Sequence, residues 1–312
     1  MLPAEELLGS QNNDGGWGYA ATRQGGSWTE PTCYALLALA AAGQQSLPSV
    51  ARGVQWLTHL QRKDGGFAPR ESVPESTWQT ALVLALPAGL FERAPAGPGA
   101  AGSFDRPRAE AWLVDQTGQE SGWLNRVRML LSGVRADVSV SYDGWPWYPG
   151  TAAWVTPTAL SILALERISR AAPPDTDVAK RVGARINPRL DQGRAFLLAR
   201  RCRDGGWNHG STKALGYDSD SYPETTGIAL LALHGISTPE VDQGVRRAEW
   251  HLANRTSREA EGWLTMGLAA HGRLPARPGL QPHGGTPHGG IMETAVSALA
   301  AAALEGRNPF LV

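Results

Sequence analysis

A compact group of ionisable side chains lies in ALGYDSDSYPETTGIALLAL, where Asp218, Asp220 and Glu224 fall within seven residues, just ahead of an almost wholly apolar run. Carboxyl groups at such a place suit acid–base work, provided one of them holds its proton. A helix N-terminus favours the carboxylate form, so burial or neighbouring like charge must supply the opposite bias. The plainer alternative is that Glu224 caps a helix, as Glu30 would at the corresponding place near the start of the chain.

Aromatic residues recur beside small polar or acidic ones ahead of the apolar runs: Trp28 with Glu30, Trp78 with Glu75 and Thr77, Trp154 with Thr156, and Tyr217 and Tyr222 around the acids. Aromatic faces attract cations through the ring quadrupole, and packing between helix ends accounts for the same residues. Trp28, Glu30, Trp78, Trp154, Tyr217 and Tyr222 are therefore the candidate lining of a substrate cavity. Metal chemistry has less to work with. The two cysteines, Cys33 and Cys202, form no CxxC pair, and His283 and His288 stand in a Pro- and Gly-rich stretch without a partner Cys.

The elements that position these groups follow from repetition. QNNDGGWGY from Gln11, QRKDGGFAP from Gln61, YDGWPWYPG from Tyr142 and RCRDGGWNHG from Arg201 are copies of one phrase, with weaker copies at Ser121 (SGWL) and Glu261 (EGWL). The Asp of the strong copies falls at 14, 64, 143 and 204, intervals expected of a helical repeat array. Ahead of the phrase lie amphipathic stretches, Val50 to Gln61, Gly193 to Arg201 and Val245 to Arg255, with apolar residues three and four apart. Behind it come runs apolar on every side, from Glu30, Thr77, Thr156, Glu224 and Met292. A helix apolar on every face must be buried on every face, so these are inner helices and the amphipathic ones outer.

Glu30 and Thr156 read as N-caps with Pro31 and Pro157 at the first helical position, and Gly43 and Gly235 as C-terminal stops. The glycines of the phrase suit a sharp reversal at positive φ. Its aromatic, Trp17, Phe67 or Trp207, then plugs the gap between helices. The stretches Arg93 to Arg108 and Arg273 to Gly290 read as connecting loops or lids.

With 42% hydrophobic residues, 19% charged and a formal net charge of +0, the chain of 312 residues can bury a large core. It presents no basic field for nucleic acid. No basic segment followed by an apolar one marks a signal peptide at the start, and no apolar run reaches the roughly 18 residues of a membrane span. Few cysteines and no leader point to a reduced, cytoplasmic setting.

A Gln or Arg, three residues and then Gly-Gly-Trp, set between an amphipathic and an apolar helix, resembles the QW repeat of squalene-hopene cyclases and the related repeats of protein prenyltransferase β-subunits. The resemblance runs from about Gln11 to Leu304. It implies one all-α domain over residues 1–312, an α/α toroid of about five to six outer and inner helix pairs, with an apolar cavity at its centre.

The same resemblance implies a chemistry. In class II terpene cyclases a DxDD motif protonates an alkene or epoxide through its middle Asp. Read without gaps, Asp218-Ser219-Asp220-Ser221 keeps the first and middle acids and lacks the last. Read from the helix, Glu224 takes the acid's position and Tyr222 that of the first Asp. The expected function is thus acid-initiated cyclisation of an isoprenoid, with Asp218, Asp220 and Glu224 as candidate acids and no cofactor. Mg²⁺ and Lys213 would assist only a diphosphate substrate.

A non-catalytic isoprenoid, lipid or peptide carrier is the alternative from another class. A zinc prenyltransferase is less well matched: the Asp, Cys and His ligands of that family meet only Glu224, Thr226, Met292 and Glu293 here, with no Cys.

Overall fold

The structure, a computed structural model, describes residues 3–21, 25–93, 104–119, 142–214, 217–254, 257–273 and 290–311. In chain order the described helices begin with α1 (Pro3–Gly9), α2 (Thr29–Ala41), α3 (Pro48–His59), α4 (Gln79–Ala85), α5 (Ala88–Arg93) and α6 (Arg106–Asp115). They continue with α7 (Val155–Ala171), α8 (Asp177–Ala199), α9 (Pro223–Ala232), α10 (Pro239–Ala253), α11 (Arg258–Ala270) and α12 (Ile291–Leu304). A small antiparallel hairpin of β1 (Lys213–Ala214) and β2 (Tyr217–Asp218) precedes α9. Among the described residues no helix is long and apolar enough to cross a membrane.

The chain divides into two compact units, Met1–Leu113 with Pro278–Val312, and Val114–Arg277. In the first, the apolar α2 packs against both α4 and α12, and the amphipathic α3 covers α2. In the second, α9 packs against both α7 and α11, with α8 on α7 and α10 on α9. Burial follows the sequence pattern. Every residue of α9 from Thr225 to Ala232 is buried, whereas α3 buries Val50, Gly53, Val54 and Leu57, one stripe at helical spacing. Removing each large aliphatic side chain from water contributes roughly 1.5–3 kcal/mol, which makes these inner helices the core of each unit.

Two expectations about helix ends divide. Gly43 and Gly235 do stop their helices, both at φ 75°. The N-caps, however, are Trp28 and Trp154 rather than Glu30 and Thr156, and neither Trp caps with its side chain. The first N–H groups are satisfied from another repeat instead: Thr29 N donates to the Pro69 carbonyl and Val155 N to the His209 carbonyl, each at 2.9 Å. Pro31 and Pro157 then occupy the third helical position, where a missing N–H still costs nothing.

EGWL at Glu261 is not a turn. It lies inside α11, where Trp263 and Leu264 are buried. This helix meets α9 through glycine: a Cβ added at Gly227 would fall 2.4 Å from the Trp263 backbone, and one at Gly267 would fall 2.5 Å from the Gly227 carbonyl oxygen. Only glycine permits backbones to approach so closely. The Ser121 copy, His283 and His288, and most of the two expected loops lie outside the described residues.

Candidate active site

The turn phrase is a hydrogen-bonded device in which the Asp is structural. Asp14, Asp64 and Asp204 each accept from the backbone N–H two residues on, at 3.0–3.1 Å. Each also accepts from a serine hydroxyl ahead of the next inner helix: Ser27 at 2.6 Å, Ser76 at 2.8 Å and Ser221 at 2.9 Å. The first glycine of each turn sits at φ 96–99°, as a sharp reversal requires.

The plug aromatics Trp17, Phe67, Trp145 and Trp207 are at most 1% exposed. Their backbone N–H groups donate to Thr32, Thr80, Thr158 and Thr226, all at 2.9–3.0 Å. The role of this threonine as acceptor for the plug was not read from the sequence, although a Thr two positions after Glu30 and Glu224 is visible there. It fixes the register of the repeats: Glu224 stands relative to Thr226 as Glu30 does to Thr32.

The candidate acids are placed unequally. Asp218 lies on β2 and pairs with Arg203 at 3.0 Å, in a contact whose side chains are 43% and 85% exposed. Tyr217 beside it is 79% exposed. Asp220 is exposed, and its backbone carbonyl accepts from Asn208 Nδ2 at 3.3 Å. Glu224 is half-buried in the first turn of α9 and accepts from Ser257 Oγ at 3.2 Å. Of the three, Asp218 is thus paired with an arginine of the turn phrase, and Glu224 with a serine hydroxyl.

Aromatics do gather at the helix starts. In the second unit Trp154 and His209 have ring centroids 6.2 Å apart, and His209 and Tyr222 5.2 Å apart. In the first unit Tyr19 lies 5.6 Å from Trp28, and its hydroxyl donates to Glu30 Oε2 at 2.5 Å. Arg70 covers the Trp28 ring at 5.0 Å. Trp78 is buried at the start of α4.

Behind the Glu224 segment lies a polar group that the sequence did not reveal. His251 Nε2 lies 2.8 Å from Ser221 Oγ, Arg247 Nε donates to the same oxygen at 3.1 Å, and Arg247 pairs with Asp204 at 3.0 Å. Because Ser221 gives its only proton to Asp204, His251 must donate from Nε2. The carboxylate meets the serine and not the imidazole, so this is no nucleophilic triad.

Burial, then Arg247, holds His251 below its ordinary value, against the pull of Asp204 and Glu224. Burial pushes Asp204 up, but hydrogen bonds from Ser221 and Gly206 and the charge of Arg247 outweigh it, leaving the carboxyl below its ordinary value.

Metal ligands do not assemble among the described residues, where no group of three or more His, Cys, Asp or Glu could hold an ion. Cys33 and Cys202 are unpaired and buried; burial raises Cys33 well above its ordinary value and Cys202 to about 11, which disfavours the thiolate.

The resemblance read from the repeats holds. The family model for the squalene-hopene cyclase C-terminal domain matches residues 3–85. A squalene–hopene cyclase of Bradyrhizobium diazoefficiens is 41% identical over 71 residues, 20% of this chain and 11% of that protein. A probable squalene–hopene cyclase of Sinorhizobium fredii is 40% identical over 70 residues, with the same coverage.

Among solved structures, ent-copalyl diphosphate synthase from Streptomyces platensis superimposes with a TM-score of 0.52 at 20% identity, over 89% of this chain and 50% of that one. The type II terpene cyclase MstE from Scytonema, in complex with geranylgeranyl dihydroxybenzoate, gives a TM-score of 0.52 at 18% identity, over 98% of this chain and 80% of that one. These likenesses show the fold class, all-α and of the α/α-toroid kind. The chain matches about a tenth of the length of the two curated relatives and spans half of the Streptomyces synthase.

Proposed function

We propose that this chain is a class II terpene-cyclase-like enzyme in which Glu224 delivers a proton to an alkene of an apolar isoprenoid. The observation that carries the reading is the place of Glu224: it is half-buried in the first turn of an inner helix, beside a hydroxyl donor, on a chain whose fold is that of class II terpene cyclases. Asp218 and Asp220 remain as second candidates, and the ion pair with Arg203 makes Asp218 the weaker.

Protonating a carbon calls for an acid both strong and protonated. The helix N-terminus and the Ser257 hydroxyl stabilise the carboxylate left behind. The proton passes from the Glu224 carboxyl to one alkene carbon, the adjacent carbon becomes a cation, and neighbouring double bonds attack it in turn. Loss of a proton from the last cation ends the sequence. The faces of Trp154 and Tyr222 would stabilise the passing charge.

Protonation itself asks nothing of a metal or redox group. For a diphosphate substrate Mg²⁺ would assist, and the engagement of Asp218 with Arg203 leaves the hairpin poorly suited to holding it. The two buried, unpaired cysteines support a reduced, cytoplasmic setting.

The test is incubation with farnesyl, geranylgeranyl and squalene-type substrates and mass analysis of the products, with Glu224→Gln beside the wild type. A cyclase loses turnover in the variant while still binding substrate. A wild type that binds an isoprenoid and never converts it is a carrier, and the enzymatic reading falls.

A further inference from the structure

The first, second and fourth turns are tied to the next outer helix in the same way but differ in the side chains that helix turns toward them. Gln11 donates to the Ser49 carbonyl, Gln61 to that of Asp105, each at 2.8 Å, and Arg201 to that of Glu240 at 3.0 Å, so each turn is tied to the start of an outer helix. Seven residues further on stand Trp56, Trp112 and Arg247. The two tryptophans lie against the second glycine of their turns: a Cβ at Gly16 would fall 2.8 Å from the Trp56 ring, and one at Gly66 2.9 Å from that of Trp112.

In the fourth repeat this indole is replaced by a guanidinium, and one helical turn later, where the first repeat has Leu60, stands His251. His251 is 6% exposed and continues the buried stripe of Val241, Gly244, Val245 and Ala248. A charged side chain and an imidazole at such positions cost desolvation that Trp and Leu would avoid. Their joint target is the Ser221 hydroxyl, three residues ahead of Glu224.

We propose that Arg247 and His251 are positioning residues, which clamp Ser221 against Asp204 and thereby fix where the Tyr222–Glu224 segment presents the Glu224 carboxyl. The proposal rests on the reading of Glu224 given above. Ser221 is bound through both its N–H (3.1 Å) and its Oγ (2.9 Å) to Asp204, and its hydroxyl accepts twice from α10, so four polar contacts converge on one residue. Ser27 and Ser76 in the other turns also bond to their Asp, but the second donor to Ser27 is Asn12 of its own turn, at 3.0 Å, and the Trp112 indole donates to Asp64 itself, at 3.1 Å. The fourth turn alone among these three leads into the acidic segment, and it alone carries the clamp.

The experiment compares His251→Leu, which restores the residue of the first repeat, with His251→Gln, which keeps an Nε donor. Turnover of geranylgeranyl diphosphate and of squalene should fall about tenfold in the Leu variant with KM within about threefold, and the Gln variant should recover most of that loss. Amide exchange at Ser221 and Tyr222 should be about tenfold faster in the Leu variant, restored in Gln, and unchanged at Trp28.

Equal losses in both variants, or no loss, overturn the proposal. If the wild type turns over neither substrate, the enzymatic reading fails by itself and amide exchange still decides this one: unaltered exchange at Ser221 overturns it. Should His251→Leu fail to fold, Arg247→Lys, which keeps the charge beside Asp204 and loses the Nε donor, is read by the same exchange.

Discussion

The backbone N–H of Trp207 donates to the hydroxyl of Thr226 at 3.0 Å, and neither residue has any exposed surface. Thr226→Val keeps the shape and leaves a buried N–H without its acceptor. We expect a loss of about 1–3 kcal/mol in urea unfolding. Thr226→Ser keeps the hydroxyl and should cost less. A Val variant as stable as wild type would mean that the plug is held by packing alone.

The approach of α9 to α11 should be equally exacting. Gly227→Ala places a methyl 2.4–2.6 Å from the Trp263 and Leu264 backbone, which cannot rotate away. The helices must separate, at a cost of about 1–3 kcal/mol or more. Gly89→Ala is the control: nothing lies within 4 Å of the added Cβ in α5, so a gain of up to about 1 kcal/mol is expected there from helix propensity. Thermal melts of both variants check the contrast.

Acid should loosen the second unit before it affects most carboxylates. His251 is held below its ordinary value of 6.5, so the unfolded chain takes up that proton at a higher pH than the folded one. Its contribution is complete above 6.5 and declines as pH falls toward the lowered folded value. His271, lowered by burial and then by His234, acts in the same sense. Asp204 adds a later loss: its contribution is present above 3.8 and disappears as pH falls through its lower folded value. Urea midpoints between about pH 7.5 and about pH 5 should therefore decline, less steeply in His251→Gln. A wild-type midpoint flat over that range would contradict the assignment.

Glu166 is another buried charge whose removal should be felt. On α7 its carboxylate meets Arg194 at 2.5 Å and Arg170 at 3.0 Å, with His234 at 3.4 Å, while its own side chain is 6% exposed. Glu166→Gln leaves two guanidinium groups facing each other without the anion. A destabilisation of about 2–3 kcal/mol is expected, below the loss for a fully buried pair because both arginines reach solvent. Equilibrium unfolding at low and high salt measures it, and salt should narrow the difference.

Legibility in the sequence followed the range of each interaction. The inner helices α2, α7, α9 and α12 announce themselves because burial on every face leaves an unbroken apolar run. The turns are legible because their glycines and plug aromatic are neighbours in the chain. The inner helix α11 was hidden: REAEGWLTMGLAA has three charged residues among its first four, and its Gly-Trp pair imitates the turn phrase.

The caps were misplaced because Thr29 and Val155 find their acceptors 40 and 54 residues away, in the carbonyls of Pro69 and His209. Arg247 and His251 passed unnoticed because their partner Ser221 is 26 and 30 residues distant, beyond what periodicity can report. The pairing of Asp218 with Arg203 was equally hidden, since a hairpin of two-residue strands leaves no pattern in the sequence.

The first unit is completed by a helix from the far end of the chain. Ile291 N donates to the Tyr19 carbonyl at 3.1 Å, the same link by which Thr29 reaches Pro69, and α12 lies against α2. During synthesis, α2 must wait with one oily flank uncovered until α12 emerges some 250 residues later. Slowing translation late in the message should therefore harm the yield of native protein more than slowing it early.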